Sequence, residues 1–82
     1  MPYIRKEKRV PLATGFISPE GPGELNYAIT QLILDYLAGR QSYDLCNEVI
    51  GVLECAKLEL YRRMVAPYEN KKCAENGDVY PE

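Results

Sequence analysis

The chain contains no histidine. Its absence removes the commonest general base and the commonest metal ligand among the side chains. Cysteine is scarce and poorly placed for a metal. Cys46, Cys55 and Cys73 are odd in number, and no two stand in CxxC spacing. Such a set predicts neither a disulfide framework nor a zinc site. No apolar run approaches the roughly 20 residues of a membrane span, and no signal peptide opens the sequence. A free-thiol chain without an export signal is expected in the cytoplasm. GxSxG, HExxH and P-loop patterns are missing as well. Glu54 and Glu59 form a carboxylate pair, but a five-residue step turns them to different faces of a helix. No catalytic residue, metal site or cofactor is expected. The cysteines read as small, buried apolar residues.

What remains is a chain of 82 residues, enough for one domain spanning 1–82. A domain of this size buries only about 60% of the surface its unfolded chain exposes. Small domains offset that shortfall with disulfides, a metal or a partner subunit. The first two are not indicated, so self-association is expected.

Net charge is −2, which does not mark the whole chain as a nucleic-acid binder. The charge is uneven. Residues 1–10 carry Arg5, Lys6, Lys8 and Arg9 against Glu7 alone, a net of +3, and the remaining residues sum to −5. The amino-terminal arm is therefore a candidate contact for an anion or an acidic partner.

Pro2, Pro11, Pro19 and Pro22, with Gly15 and Gly21, crowd residues 1–22 and predict an irregular arm. At most a short strand or helical turn is expected around Tyr3–Val10. A first helix is predicted from about Gly23 to Ala38. Pro22 suits its first turn, Glu24 suits its dipole, and Gly39 and Arg40 suit its end. Leu25, Ala28, Ile29, Leu32, Ile33, Tyr36 and Leu37 make its apolar stripe. A second helix begins after Gln41, capped by Ser42 or Asp44, and runs to Ala66. Pro67 ends or kinks it there. A short helix over 67–76 closes at Gly77, followed by an extended tail over 78–82. The short connection between the two main helices predicts an antiparallel hairpin. The expected fold is all-α: irregular arm, helical hairpin and short carboxy-terminal helix, assembled as a homo-oligomeric bundle.

The second helix has too much apolar surface for one neighbour. Val49, Val52, Leu53, Ala56, Leu60 and Met64 form one stripe, suited to the first helix. Leu45, Ile50, Leu58, Tyr61 and Val65 form a second set, much of which faces elsewhere. Gly51 and Cys55 stand four apart and would let another backbone approach closely. Glycine in a helix interior costs about 1 kcal/mol relative to alanine, so a packing role is expected. The predicted oligomer interface is Ile50, Gly51, Cys55, Leu58, Tyr61 and Val65. The amino-terminal arm, with Phe16 and Ile17, is the alternative cover for that face.

Three features point to an anionic ligand. Gly21 and Gly23 flank the start of the first helix, where free N–H groups and the dipole favour a phosphate. The arm supplies Arg5, Lys6, Lys8 and Arg9. Tyrosines supply the third, because Tyr3, Tyr27, Tyr43 and Tyr61 lie near basic or capping positions, where a ring can stack on a base. Arg62 and Arg63 with Lys57 form another basic patch, but Glu54, Glu59 and Glu69 stand at helical pairing distance.

Two runs carry a resemblance. Residues 22–27, PGELNY, and residues 47–59, NEVIGVLECAKLE, followed by Tyr61-Arg62-Arg63 and Ala66-Pro67-Tyr68-Glu69, resemble a family of small phage and prophage proteins of unknown function. Leu53-Glu54-x-Ala56 on the long helix also resembles the phage anti-CBASS sponges, small helical oligomers that sequester cyclic di- and trinucleotide immune signals. The chain departs from that pattern, because it has no tryptophan and its first helix has no lysine. The resemblance implies a non-enzymatic immune-evasion protein in the host cytoplasm. Its ligand would be a cyclic di- or trinucleotide held by Tyr27, Thr30 and the basic residues of the arm. A protein-binding inhibitor or adaptor, such as an anti-CRISPR or a phage regulatory protein, is the alternative, with a host protein as partner. DNA binding by the arm fits least well, given the acidic remainder of the chain.

Overall fold

The structure, a computed structural model, describes residues 2–81. The expected tail residue Glu82 lies outside them. Four α-helices follow in order: α1 (Lys6–Ala13), α2 (Pro22–Leu37), α3 (Tyr43–Leu60) and α4 (Ala66–Asn76), with a π turn over Tyr61–Val65 joining the last two. Among the described residues no strand occurs, so the expected all-α class holds. The chain divides into two compact units, Met1–Leu45 and Cys46–Glu82.

The first unit corrects the expectation of an irregular arm. Residues 6–13 are a two-turn helix despite Pro11 inside it. Proline removes one intrahelical N–H and crowds the preceding turn. The end of α1 offsets that loss. The Phe16 N–H donates to the Pro11 carbonyl at 2.8 Å and the Gly15 N–H to the Leu12 carbonyl at 3.2 Å. This reciprocal pair needs a left-handed residue, and Gly15 supplies it at φ +75°. The Thr14 hydroxyl adds a bond to the Val10 carbonyl at 2.8 Å. α1 packs on α2. Leu12 is the one apolar side chain buried among the described residues, at 5% exposure.

α2 begins and ends close to where its residues predict. Pro22 opens it after Gly21, and the Glu20 N–H donates to Glu24 Oε1 at 3.3 Å. The negative carboxylate thus folds back over the positive end of the dipole. At the other end Ala38, rather than Gly39, takes the first left-handed position, at φ 50° and ψ 42°. Arg40 holds the terminal carbonyls, with Nε donating to Leu37 at 2.9 Å and Nη2 to Tyr36 at 2.6 Å. The predicted dipole partner is therefore a direct cap. α3 then starts with Ser42 Oγ accepting from the Leu45 N–H at 3.4 Å, so Ser42 is the cap and Asp44 sits in the first turn.

The second unit is helix and tail. Pro67 neither ends nor splits the helix. Leu60, Val65 and Ala66 all keep right-handed helical angles, and the Ala66 N–H reaches back five residues to the Tyr61 carbonyl. One residue beyond the ordinary turn widens the backbone ahead of Pro67, where the ring would otherwise crowd the carbonyl four residues earlier. The extra residue also shifts register. Positions eight apart stand where positions seven apart would in a plain α-helix, so the Tyr61 hydroxyl donates to Glu69 Oε1. Gly77 closes α4 at φ +92°, as expected. Beyond it the tail bends rather than extends, because Asp78 accepts from the Tyr80 N–H at 2.9 Å.

The cysteines depart from expectation. Cys46, Cys55 and Cys73 are all exposed rather than buried. They ride on a helix that, within its own unit, has no opposing surface to cover them.

Two outcomes follow from this geometry. A left-handed Ala38 carries a steric cost of about 1–2 kcal/mol that glycine avoids. Ala38→Gly should therefore raise the urea midpoint by a stabilisation of roughly 1 kcal/mol, and a lowered midpoint would contradict the assigned backbone. The bond to Glu69, reinforced by its negative charge, raises the Tyr61 pKa above the ordinary 10.0. A folded-state pKa raised in this way contributes stability that is complete below pH 10 and lost as pH rises through the folded value. In an alkaline absorbance titration, Glu69→Gln should move one phenolate transition back towards 10.0. Tyr61→Phe should delete that transition.

Candidate functional site

α1 and α2 bring a small concavity together inside the first unit. It is lined by Pro2, Tyr3, Arg9, Tyr27, Thr30 and Gln31 and has a volume of about 220 Å³. Each side chain reaches it for a local reason. Tyr27, Thr30 and Gln31 stand three and four apart on α2, so they share one face of the helix. Arg9 lies on α1. The segment before α1 returns across that face, held there by Arg9 itself. Its Nε and Nη2 donate to the Ile4 carbonyl at 3.3 and 3.2 Å. Two of the five guanidinium N–H donors are thus engaged, and the rest are uncommitted among the described residues.

Arg9 is the one charged lining residue, so the cavity favours an anion. Two phenol rings supply stacking surface, and a hydroxyl and an amide supply polar partners. The Thr30 hydroxyl donates to the Asn26 carbonyl at 2.8 Å, which fixes its rotamer and leaves the oxygen's two lone pairs as acceptors. Of the two tyrosines in the lining, Tyr27 is half-buried and Tyr3 is largely exposed.

Of the predicted ligand residues, the cavity unites Arg9, Tyr27 and Thr30 and leaves out the others. Arg5, Lys6 and Lys8 lie elsewhere because each helical step turns the side chain by about 100°. Neighbours in sequence therefore point apart. Gly21 and Gly23 do not line the cavity either. The helix start they flank is already complemented by Glu24. Pro2 and Gln31 were not anticipated. Gln31 follows Tyr27 by four residues, a same-face spacing that would have pointed to it. Tyr43 and Tyr61 are not part of the lining.

The predicted interface residues Ile50, Leu58, Tyr61 and Val65 are exposed, Ile50 at 65%. A Cβ added to Gly51 would meet nothing within 4 Å. The basic patch on this helix is largely paired. Lys57 meets Glu54 at 3.2 Å, and Arg62 and Arg63 reach Glu59 at 2.8 and 3.9 Å. Glu69 serves Tyr61 instead. Among the described residues no three of Cys, Asp or Glu gather as a metal site, and no helix is long and apolar enough to cross a membrane.

No curated protein and no solved structure matches the chain. One sequence family does, over residues 1–79, nearly the whole length. The chain belongs to that family, the domain of unknown function DUF6899.

Proposed function

We propose that this protein is a non-enzymatic capture module that binds a cyclic oligonucleotide and withholds it from its receptor, as a phage-encoded immune-evasion sponge would. The supporting observation is the convergence of Arg9, Tyr27 and Thr30, with Tyr3 and Gln31, on one cavity. Arginine holds phosphate through charge-assisted bonds, and a tyrosine ring stacks on a base of any identity. No bond need be made or broken for sequestration, which suits a chain without histidine.

The cavity's size bears on the mode of binding. Its roughly 220 Å³ falls below the 300–1,000 Å³ of complete small-molecule sites. One copy would therefore take a base and its phosphate, and a second copy would take the rest of the ring. Self-association through Ile50, Gly51, Cys55, Leu58, Tyr61 and Val65 is part of this proposal. So is a hairpin of α2 and α3, favoured by their five-residue connection 38–42.

The exposed apolar residues of α3 also favour a second function, a protein-binding inhibitor or adaptor that docks a host protein. A monomer in solution with no nucleotide affinity would select it.

The test is calorimetric titration of the full chain with a panel of cyclic di- and trinucleotides. At least one should bind. Base stacking is worth about 1–3 kcal/mol, so Tyr27→Ala should weaken binding roughly 5- to 150-fold. Arg9→Ala should weaken it similarly and flatten its salt dependence. Arg5→Ala, outside the cavity, should change little. Flat titrations across the whole panel would overturn the sponge.

A further inference from the structure

Helix 43–76 has a charge polarity along its length. Residues 43–60 hold Asp44, Glu48, Glu54 and Glu59 against Lys57, a net of −3. Residues 61–76 hold Arg62, Arg63, Lys71 and Lys72 against Glu69 and Glu75, a net of +2. The π turn that joins the halves keeps them one uninterrupted helix, so the acidic and basic ends are carried on a single rod. Exposed apolar side chains Ile50, Leu58, Tyr61 and Val65 occupy the middle.

We infer that two copies of this chain pair along this helix in antiparallel orientation. The inference rests on the self-association proposed above and adds its direction. A parallel pair would set −3 against −3 and +2 against +2, whereas an antiparallel pair sets opposite charges together twice. The helix dipoles agree, because head-to-tail neighbours oppose each other favourably.

A two-fold axis makes the argument residue-specific. In an isologous pair each contact occurs twice, with residue i meeting j and j meeting i. Ile50 and Val65 lie equally far in sequence from the centre between Lys57 and Leu58, and so do Asp44 and Lys71. The register that sets Ile50 on Val65 therefore brings Asp44 level with Lys71 at both ends, on the flanks of the pair rather than in the seam, because six residues turn the side chain about 240° round the helix. Gly51 has open space around its Cα and would admit the partner backbone near the crossing.

The exposed cysteines supply the test. A Cys46→Ser, Cys55→Ser variant of the full chain keeps Cys73 as its one spin-label site. At 1.5 Å per residue, two Cys73 labels in an antiparallel pair stand about 45–50 Å apart. In a parallel pair they stand within about 20 Å, set by an interaxial distance of 8–10 Å plus the label arms. Dipolar spectroscopy expects the long distance, with a dimer mass by light scattering. The short distance in a defined oligomer overturns the orientation and leaves self-association standing. Because Cys55 lies in the proposed interface, the mass is read on the unaltered chain as well, and a monomer there at all concentrations overturns both. As a second variant, Ile50→Glu, at a position exposed in the single chain, sets a carboxylate against Val65 at both symmetric contacts and should raise the dimer Kd at least about ten-fold. An unchanged Kd would contradict the register.

Discussion

A lone helix cannot bury its own apolar side chains, and the second unit consists of one helix and a bent tail. This constraint governs the rest of the molecule. Most of the stability of a helix in water comes from packing an amphipathic face, not from propensity. Helix 43–76 carries apolar residues on more than one side and a glycine at position 51 with nothing near it. Its surface ion pairs, Lys57 with Glu54 and Arg62 with Glu59, are exposed. Exposed pairs of this kind contribute at most about 1 kcal/mol each. Such pairs keep the helix soluble and helical but do not replace a buried face.

The π turn is the local device that lets the helix reach its length. Proline at 67 would stop a plain α-helix, and a stopped helix would separate the acidic half from the basic half. One additional residue relieves the crowding and restores continuity, and the Tyr61–Glu69 bond fastens the two sides of the insertion. Polarity, length and apolar middle thus belong to one element. In the first unit the opposite economy applies. A two-turn helix, one buried leucine and an arginine bonded to the chain ahead of it are enough to form a small open concavity beside α2.

The sequence made much of this legible, and what it hid has physical causes. The ends of α2 could be read because Pro22, Glu24, Gly39 and Arg40 act within one turn of where they stand. α1 could not, because Pro11 and Gly15 are ordinarily breakers. Here Gly15 instead completes the helix end that makes Pro11 tolerable. Pro67 announced a disturbance without revealing its form, since a kink, a stop and a π turn all answer the same lost N–H. At the site, charge and aromatic content pointed to Arg9 and Tyr27, and the resemblance added Thr30. The same charge pointed equally to Arg5, Lys6 and Lys8, because composition carries no information about which side of a two-turn helix faces its neighbour. The cysteines are exposed for the reason that governs the whole second unit: within that unit the helix has no surface to be buried against.

If helix 43–76 depends on a second copy, unfolding must depend on concentration, since dissociation accompanies loss of structure. Thermal unfolding followed by far-ultraviolet dichroism over a hundred-fold range of protein concentration is the most direct measurement. The midpoint should rise steadily with concentration. A midpoint that stays fixed across the range would mean that the helix is stable within one chain, and the constraint set out here would not hold.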